Sequence, residues 1–442
     1  MKIQAANFLE GTIRLPGDKS ISHRAAILAS MATGETRIEN YATSQDCAST
    51  LDCLKNLGVE IKQENSTVFV RGVGKNGFTK PTQELNCGNS GTTMRLLAGV
   101  LAGQNFNSIL VGDESLSKRP MRRIIEPLEM MGAKIESEAN HAPLKIHGAN
   151  PLRAISYKLP VASAQVKSCI LLAGLNADGK TAVQNPKSAV KNPASRNHTE
   201  LILGYLGAEI AENYIETENG FAQEIFINGD AELRAKNLIV PSDISSAAFF
   251  IVAAACLKNS EIVLKNVGLN PTRTVILDVL QMFGADIEIS NEKEICNEAV
   301  GDLTVRGREN LVSKISSNLI DGGAVVNLID EIPILAVFGT QIENGLEIRG
   351  AEELRVKESD RIKSIVENLR RMNAAVEEFP DGFRVEKSDL KGATVDSFGD
   401  HRIAMAFAIA ALLATGETEI VGAEAAGVSF PEFFDALSKL VK

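Results

Sequence analysis

The chain has no tryptophan, and only 5% of its 442 residues are aromatic. It carries five histidines and six cysteines, and no two cysteines form a CxxC pair. So few aromatic side chains offer poor platforms on which nucleic-acid bases could stack. The scattered cysteines indicate neither a disulfide framework nor a metal site, so we expect reduced thiols in a cytoplasmic protein.

Basic residues are outnumbered by acidic ones, 46 against 56, which gives a formal net charge of −10. That balance argues against sequence-independent nucleic-acid binding, and an anionic ligand must be met by a local cluster of Lys and Arg. The most apolar stretches, 247–257 and 403–414, are too short to cross a bilayer and fit buried helices better. The first residues contain no apolar core of a signal peptide, so we expect none.

A short phrase recurs at the end of helix-period segments. It reads LGVEI at 57–61, MGAKI at 131–135, LGAEI at 206–210, FGADI at 283–287 and, more weakly, MNAAV at 372–376. The Gly or Asn follows the last helical residue, which predicts a helix end with that residue in the left-handed conformation. The residues after it alternate as a strand.

A second phrase alternates with the first: a helix of small apolar residues ends at a turn and enters a β-rich run, as in ATGETRIEN and ATGETEIVG. Together the two phrases give six units, each reading helix, strand, second helix and strand pair, a βαβ-type rhythm. One such unit cannot bury both of its helices alone. We therefore expect three units to share a core and six units to form two similar lobes.

The chain ends decide where these lobes divide. The sixth unit ends at the helical stretch FPEFFDALSKLVK without closing strands, while residues 1–14 hold strand-like stretches that belong to no unit. We predict an α/β fold in which one lobe spans residues 15–240 and the other spans residues 1–14 plus 241–442.

Residues 15–24, LPGDKSISHR, place a Pro-Gly turn, a lysine and an arginine ahead of an apolar helix. Ser20 or Ser22 could cap this helix, leaving its free N–H groups to face whatever Lys19 and Arg24 face. An ordinary solvated helix start explains this stretch equally well when it is taken alone.

The other five units repeat this arrangement, and the repetition favours an anion site. The polar residues at the remaining inner-helix starts are Asn89, Ser90, Gly91, Thr92 and Arg95; Ser163 and Gln165; residues 243–246; Asp330 and Glu331; and Asp400, His401 and Arg402. If the inner helices of a lobe run parallel, their positive ends meet on one face and add to the basic side chains.

The outer-helix starts add charge at Arg119, Arg196, Arg273 and the dense stretch RVKESDR at 355–361. A solvated charged face is the alternative explanation of that stretch. However, Glu358 lies between Lys357 and Arg361 in the sequence. A carboxylate that transfers protons near a bound anion needs such neighbouring cations to offset the repulsion between the two negative charges. No phosphate-binding GxxxxGK[ST] loop, Ser-His-Asp order or metal-ligand spacing competes with this interpretation.

Eight motifs follow one another along the chain: PGDKSISHR, GNSGTTMR, KRPMRR, ASAQVKS, SRNHTE, DEIP, RVKESDR and GDHRIAM. They occur in this order in the EPSP synthase family, which the chain therefore resembles. The resemblance runs from about Lys2 to Phe434, and NSGTT, ASAQ and SRNHTE look more like the second bacterial class of the family than the first. It implies two lobes, each of three βαβαββ units around a pseudo-threefold axis, the enolpyruvyl transferase-like inside-out α/β barrel.

The resemblance also implies the reaction. Members of the family transfer the enolpyruvyl group of phosphoenolpyruvate to the 5-hydroxyl of shikimate 3-phosphate and release phosphate through a tetrahedral intermediate. We therefore expect these two small molecules as partners, no metal or organic cofactor, no nucleic acid and no membrane, and a cytoplasmic monomer. The two substrates bring two phosphates and two carboxylates close together. Positive helix ends and basic side chains are what would stabilise so many negative charges.

Site residues carry over one by one from the family's motifs. The residues that match contacts to shikimate 3-phosphate are Ser20, Arg24, Ser163, Ser195 and Arg196. Those that match contacts to phosphoenolpyruvate are Lys19, Gly91, Arg119, Gln165, Arg361 and Arg402, with Lys19 bridging both ligands and Asn89 beside Gly91 in the same substrate-binding motif. Asp330 matches the carboxylate that takes the 5-hydroxyl proton, and Glu358 with Lys357 matches the pair implicated in protonating the methylene carbon; Lys19 joins these as a candidate catalytic group.

Two positions depart from the family's first class. His198 stands where that class has a tyrosine near the sugar phosphate, and Glu424 stands at or near the place of a late lysine, so no residue is carried over there. A rival of the same fold, the UDP-N-acetylglucosamine enolpyruvyl transferase, needs a loop cysteine that LSKRPMRR lacks. A non-catalytic phosphometabolite binder is the rival from another class, and the carboxylates Asp330 and Glu358 argue against it.

Overall fold

The computed structural model describes residues 1–186, 195–218, 220–309, 311 and 317–442. These residues form two compact units. The 17–240 unit comprises Gly17–Val240 and Ile295–Glu298, and the 241–442 unit comprises Met1–Pro16, Pro241–Glu294 and Ala299–Lys442. Each unit is described by itself below.

Two N-terminal strands, β1 (Lys2–Ile3) and β2 (Glu10–Arg14), precede the repeats. The first repeat of the 17–240 unit contains α1 (Lys19–Met31), β3 (Thr33–Glu39), α2 (Gln45–Asn56), β4 (Glu60–Glu64) and β5 (Thr67–Val73). The second contains β6 (Leu85–Asn86), α3 (Gly91–Ala102), β7 (Asn107–Val111), α4 (Glu114–Ser117), α5 (Arg122–Met130), β8 (Lys134–Glu138) and β9 (His141–His147). The third contains β10 (Leu152–Arg153), β11 (Ser156–Lys158), α6 (Ala164–Gly174), β12 (Ala177–Asp178), β13 (Lys180–Gln184), α7 (His198–Tyr205), β14 (Ile210–Thr217) and β15 (Gly220–Asn228), and β16 (Leu238–Ile239) follows.

The 241–442 unit continues the same succession. Its first repeat contains α8 (Ile244–Cys256), β17 (Glu261–Gly268), α9 (Val275–Met282), β18 (Asp286–Ile295) and β19 (Glu298–Arg306). The next contains β20 (Leu319–Ile320), α10 (Gly322–Leu328), α11 (Ile332–Gly339), β21 (Leu346–Ile348), a 3-10 helix (Glu352–Val356), α12 (Arg361–Arg371), β22 (Val376–Phe379) and β23 (Gly382–Val385). The last contains β24 (Thr394–Asp396), α13 (His401–Leu413), β25 (Thr418–Val421), a 3-10 helix (Ala423–Val428) and α14 (Phe433–Leu440).

Each repeat of the 17–240 unit builds a four-stranded sheet with one topology. The strand orders are β16-β3-β5-β4, β6-β7-β9-β8 and β11-β13-β15-β14. In each sheet the first pair is parallel and the next two pairs are antiparallel. The repeated strand order makes the predicted βαβαββ unit visible in the structure.

The 241–442 unit repeats the pattern with strands borrowed from the start of the chain. Two of its sheets have the orders β2-β17-β19-β18 and β20-β21-β23-β22. Strand β2 runs parallel to β17, and β1 pairs antiparallel with β25 in the sheet of the last repeat. The N-terminal strands thus supply pairings that the second half of the chain does not make from its own residues.

Apolar inner helices fill the centre of each unit. Helices α1, α3 and α6 lie in one hydrophobic core, and α8, α11 and α13 lie in the other. Small residues let these helices approach closely: a Cβ atom at Gly99 of α3 would lie 2.2 Å from the backbone oxygen of Cys169 in α6. The core of the 17–240 unit therefore depends on close packing between inner-helix backbones.

The predicted left-handed helix ends are confirmed. The residues concerned are Gly58 (φ 88°), Gly132 (φ 105°), Gly207 (φ 103°), Gly284 (φ 93°) and Asn373 (φ 66°). Glycine has no Cβ to clash in this conformation and asparagine tolerates it, which is why the recurring phrase marks every second helix.

The prediction of a serine cap on α1 is wrong. The side chain of Asp18 caps this helix by accepting a hydrogen bond of 2.9 Å from the Ile21 N–H. Ser22 faces inward instead and accepts a hydrogen bond from the Ala42 N–H. Aspartate is as good a cap as serine, so residue type alone does not favour either serine over Asp18.

No single helix in the described ranges is both long and apolar enough to cross a membrane. Helices α10 and α11 reach that length and hydropathy only together, and they are bent by 110° to each other.

Candidate active site

Lys19 begins α1 and is paired with a carboxylate. Its Nζ lies 2.8 Å from Oδ2 of Asp46, which sits in the first turn of α2, and both side chains are largely buried. The Asp46 backbone oxygen also accepts a hydrogen bond from Thr93 in the first turn of α3. The starts of α1, α2 and α3 therefore lie close together.

Arg24 is a buried guanidinium that ties α1 to two other helices. Its Nη1 donates to the Ser20 backbone oxygen at 3.0 Å, and its Nη2 donates to the Ser168 hydroxyl at 2.9 Å. Its Nε donates to the Thr199 hydroxyl at 2.7 Å. Ser20 and Arg24, both predicted to bind substrate, lie one turn apart on α1.

The start of α3 gathers a second group of predicted residues. Ser90 caps the helix through the Thr93 N–H, and Arg119 Nη2 donates to Asn89 Oδ1 at 2.6 Å. A Cβ atom at Gly91 would lie 2.9 Å from an Nη atom of Arg95 and 3.5 Å from one of Arg119. Gly91 therefore leaves room for two guanidinium groups at a helix N-terminus.

Gln165 joins this group from α6. Its side-chain oxygen accepts a hydrogen bond of 2.6 Å from Arg95, and its nitrogen donates to Thr92 at 2.9 Å. Ser163 caps α6 through a bond of 3.5 Å from the Val166 N–H. Three inner-helix starts and their basic side chains form what we call the basic cluster: Lys19, Ser20, Arg24, Asn89, Gly91, Arg95, Arg119, Ser163 and Gln165.

Ser195 and Arg196 precede α7 at the edge of the basic cluster. Ser195 is buried and its hydroxyl donates to Asn185 Oδ1 at 3.4 Å, whereas Arg196 is half-buried. His198 is buried as well, and its Nδ1 lies 2.6 Å from Glu298 Oε1. His198 is therefore engaged by a carboxylate within the 17–240 unit.

In the 241–442 unit the predicted residues meet around one arginine. The Arg361 side chain is 1% exposed; its Nε lies 2.8 Å from Asp400 Oδ2 and its Nη2 lies 2.6 Å from Glu358 Oε2. Its Nη1 lies 3.7 Å from Asp330 Oδ1. We call Asp330, Glu331, Glu358, Arg361, Asp400 and Arg402 the carboxylate cluster.

Charge explains the titration of the carboxylate cluster. Burial alone would lower the pKa of Arg361, but the charges of Asp400 and Glu358 raise it well above its usual range. Burial is the largest single influence on the pKa of Asp400 and raises it, yet the charges of Arg361 and His401 and the hydrogen bond from Arg361 together leave that pKa below its ordinary value. Both groups are therefore ionised at neutral pH, and Asp400 also caps α13 through the Arg402 N–H.

Arg402 places a second cation beside the same acids. Its Nη2 lies 3.9 Å from Asp330 Oδ2 and its Nη1 lies 4.0 Å from Glu331 Oε1. Glu331 is buried, and its Oε1 also accepts a short hydrogen bond from Ser245 at the start of α8. The buried Glu331 offsets part of the positive charge of Arg402. The Ser245 hydroxyl connects Glu331 to Arg273, whose Nη2 donates to that hydroxyl.

Lys357 lies at the edge of the carboxylate cluster. Its Nζ is 3.2 Å from Glu353 Oε1, and its side chain keeps 24% of its surface exposed. Glu424 lies in the 3-10 helix Ala423–Val428. The structure thus places Lys357 next to Glu358 in the chain but pairs it with a different acid.

Sequence reasoning missed two side chains of the 17–240 unit that form buried ion pairs, Asp46 and Lys167. Lys167 is fully buried in α6, and its Nζ lies 2.6 Å from Glu200 Oε1. A lysine inside the apolar run of α6 was a signal, since an unpaired charge is costly to bury. Asp46 carried no comparable signal, because an acid in the first turn of a helix is ordinary.

Among the described residues, no three His, Cys, Asp or Glu side chains come together as metal ligands would. The six cysteines are free thiols, and four of them are buried.

Comparison with known proteins gives a consistent result. The model of the family "EPSP synthase (3-phosphoshikimate 1-carboxyvinyltransferase)" matches residues 3–437. A protein of Solibacter usitatus named 3-phosphoshikimate 1-carboxyvinyltransferase is 48% identical over 443 residues, covering 100% of this chain and 99% of that protein. A solved EPSP synthase structure from Acinetobacter baumannii is 38% identical with a TM-score of 0.85, covering 100% of this chain and 98% of its own.

A more distant structure supports the fold alone. The enolpyruvyl transferase NikO from Streptomyces tendae is 17% identical, with a TM-score of 0.77, and the match covers 99% of this chain and 96% of that one. The predicted enolpyruvyl transferase-like α/β fold is therefore confirmed.

Proposed function

The chain belongs to the EPSP synthase (3-phosphoshikimate 1-carboxyvinyltransferase) family, and from that premise we propose how its residues share the reaction. The enzyme transfers the enolpyruvyl group of phosphoenolpyruvate to shikimate 3-phosphate in the shikimate pathway. The proposal concerns which groups bind each substrate and which move protons.

The basic cluster binds the anionic groups of the substrates. Ser20, Arg24, Ser163, Ser195 and Arg196 hold shikimate 3-phosphate. This assignment is supported by Arg24, which connects α1 with Ser168 of α6 and Thr199 of α7 and so keeps these residues in one neighbourhood.

Phosphoenolpyruvate is held by a second set of cations and polar groups. Asn89, Gly91, Arg119 and Gln165 surround the start of α3, where backbone N–H groups and guanidinium groups face the same space. Lys19 contacts both substrates, and Arg361 and Arg402 contribute from the carboxylate cluster.

Proton transfer is assigned to the acids beside Arg361. Asp330 accepts the proton of the 5-hydroxyl while the oxygen of that hydroxyl attacks C2 of phosphoenolpyruvate. Glu358 with Lys357 delivers a proton to the methylene carbon. The resulting tetrahedral intermediate then loses phosphate and that carbon's proton. The observation that carries this assignment is that one buried guanidinium lies 3.7 Å from Asp330 and 2.6 Å from Glu358.

A steady-state phosphate-release assay tests these assignments. Wild type should release phosphate only when both substrates are present, and UDP-N-acetylglucosamine should not replace shikimate 3-phosphate. Arg24→Gln should raise the KM for shikimate 3-phosphate at least tenfold and Arg119→Gln the KM for phosphoenolpyruvate, each with a smaller effect on the other substrate. The reverse pattern would contradict the assignment, and a protein that binds both substrates without releasing phosphate would be the non-catalytic rival.

The proposal also covers the lobe boundaries, the cellular location and the oligomeric state. We take residues 15–240 and residues 1–14 plus 241–442 as the two lobes of a cytoplasmic monomer of the second bacterial class. The free cysteines, four of which are buried, support the cytoplasmic location. Light scattering after gel filtration should give a single species near 47.4 kDa, and a twofold larger mass would contradict the monomer.

A further inference from the structure

Lys167 and Glu200 form a buried ion pair that the proposed reaction leaves unused. The side chain of Lys167 is 0% exposed and that of Glu200 is 2% exposed, with 2.6 Å between Nζ and Oε1. Lys167 lies one turn into α6, and Glu200 lies in the first turn of α7. The pair therefore joins two helices whose starts carry Ser163 and the Ser195–Arg196 turn.

Stability alone does not explain why this pair is present. Removing two charges from water is costly, and well-packed apolar residues of similar volume often stabilise a protein as much as or more than a buried ion pair. A methionine in place of Lys167 would fill the same space, but it could not donate a hydrogen bond. What Lys167 adds is its second contact, a hydrogen bond of 3.3 Å from Nζ to the Ser195 backbone oxygen.

That second contact links two predicted substrate-binding positions. The Lys167 N–H donates to the Ser163 backbone oxygen at 3.0 Å, so Ser163 and Lys167 lie one helical turn apart on the same face of α6. From that face Lys167 reaches the Ser195 carbonyl. Ser163 and Ser195 are thus held at a fixed separation through one side chain.

A second cation contacts the same two helices, α6 and α7. Arg24 of α1 donates to Thr199 and to Ser168, and the hydroxyls of Ser168 and Thr199 lie 2.7 Å apart. Arg24 is itself proposed to bind shikimate 3-phosphate, so some of its hydrogen bonds to Ser168 and Thr199 can be exchanged for bonds to the substrate. Lys167 is fully buried, and its Nζ contacts the Glu200 carboxylate and the Ser195 carbonyl oxygen.

We propose that Lys167, held by Glu200, is a positioning residue that keeps the Ser195–Arg196 turn in the geometry that binds the phosphate of shikimate 3-phosphate. The inference rests on the proposed function, in which Ser195 and Arg196 contact that substrate. Lys167 acts through the Ser195 carbonyl and does not touch the substrate.

Four variants separate positioning from folding. Lys167→Met should raise the Kd for shikimate 3-phosphate by at least tenfold, because the bond to Ser195 is lost, and it should lower the Tm. Glu200→Gln should lower the Tm but change this Kd by less than threefold, since the amide oxygen of glutamine still lies beside the Lys167 ammonium group and the bond from Lys167 to Ser195 remains. The double variant Lys167→Met with Glu200→Leu should recover most of the Tm and none of the affinity. Leu172→Ala, in the buried core further along α6, serves as the control that lowers the Tm alone.

The measurements are calorimetric titration with shikimate 3-phosphate, thermal unfolding and steady-state kinetics. In Lys167→Met the KM for phosphoenolpyruvate should stay within threefold of wild type, so that the defect is confined to one substrate. Equal loss of affinity in Lys167→Met, Glu200→Gln and Leu172→Ala would reduce the pair to a structural role and overturn the inference. So would a double variant that regains full affinity; if it does not fold, the contrast between Lys167→Met and Glu200→Gln decides.

Arg196→Gln distinguishes failure of this inference from failure of the proposed function. If Arg196→Gln binds shikimate 3-phosphate normally, the assignment of the turn to that substrate is wrong. If Arg196→Gln loses at least tenfold in affinity while Lys167→Met does not, the assignment survives and only the positioning role fails.

Discussion

The ammonium group of Lys19 lies 2.8 Å from the carboxylate of Asp46, with only 20% and 10% of the two side chains exposed. The cation assigned to both substrates is therefore already neutralised by a carboxylate of the protein. An anion that binds Lys19 has to share it with Asp46, and the negative charge of Asp46 then lies close to that anion. Asp46 thus sets an upper limit on how tightly the basic cluster holds its ligands.

Replacement of Asp46 by asparagine should tighten substrate binding. The amide keeps the shape of the side chain but removes the repulsion, so we expect the KM for both substrates to fall about three- to tenfold, or about 0.7–1.4 kcal/mol. The effect should shrink as salt is added, because the pair is partly exposed. A rise in both KM values would show instead that the charge of Asp46 keeps Lys19 in place.

Arg361 should be needed for folding as well as for binding. Arg361→Met leaves the fully buried Asp400 without its main counter-charge, and breaking a buried pair in this way costs about 3–5 kcal/mol. Lys363→Met, on the exposed side of the same helix, should change stability by no more than about 0.5 kcal/mol. Urea unfolding measures both variants, and equal effects would mean that Asp400 does not depend on Arg361.

The repeat pattern was readable because it rests on local chemistry. A left-handed residue such as Gly58 or Asn373 marks a helix end whatever surrounds it, and the small-residue inner helices carry their own period. The family's motifs then supplied the site residues, since each motif sits at the start of a helix in the structure. The number and order of the repeats therefore followed from the sequence.

The counter-ions could not be predicted in the same way. Lys19 and Asp46 are 27 residues apart, Lys167 and Glu200 are 33 apart, and Arg361 and Asp400 are 39 apart. Such pairs are decided by the packing of separate helices, and nothing in the local sequence of α2 distinguishes Asp46 from a solvated acid in a first helical turn. The choice of Asp18 over Ser20 and Ser22 as the cap of α1 depended likewise on which side chain faces the core.

His23 should make the stability of the 17–240 unit depend on pH. The pKa of His23 is lowered to about 3, chiefly by burial; the charge of Asp46 opposes this lowering, and the charges of Lys19 and Arg24 add to it. The ring stays neutral, and its Nδ1 shares a hydrogen bond of 2.7 Å with Thr50. The pKa in the unfolded chain is about 6.5, so below that pH the unfolded state binds a proton that the folded state does not.

The contribution of the neutral His23 ring to the free energy of unfolding is therefore complete above about pH 6.5. It is lost as the pH falls towards 3, at about 1.4 kcal/mol per pH unit. Between pH 7 and pH 5 the free energy of unfolding should fall by about 2 kcal/mol for this reason. His23→Asn, which can still bond to Thr50, should be less stable than wild type at pH 7. Its free energy of unfolding, measured with urea, should fall by about 2 kcal/mol less than that of wild type between pH 7 and pH 5. An unchanged slope would mean that the ring is protonated in the folded state.

Neutral variants of Asp330 and Glu358 should each slow a different step of the reaction. Attack by a hydroxyl requires one group to accept a proton while protonation of the methylene carbon requires another to donate. Asp330→Asn and Glu358→Gln keep the shape of each side chain, and Arg361 retains Asp400, so both proteins should fold and bind shikimate 3-phosphate within about tenfold of wild type, or about 1.4 kcal/mol.

Turnover in both variants should fall by about 10² to 10⁴, the range for loss of one general acid or base. Deuterium exchange into the methylene carbon of phosphoenolpyruvate, which occurs when the intermediate forms and reverts in deuterated water, should be lost more completely in Glu358→Gln, because that residue lies on the protonating side. Lys363→Met, which removes an exposed charge on the neighbouring helix α12, is the control and should exchange at the wild-type rate. If Glu358→Gln turns over at nearly the wild-type rate, Glu358 serves only to hold Arg361 at 2.6 Å, and Lys19 or Lys357 must supply the proton.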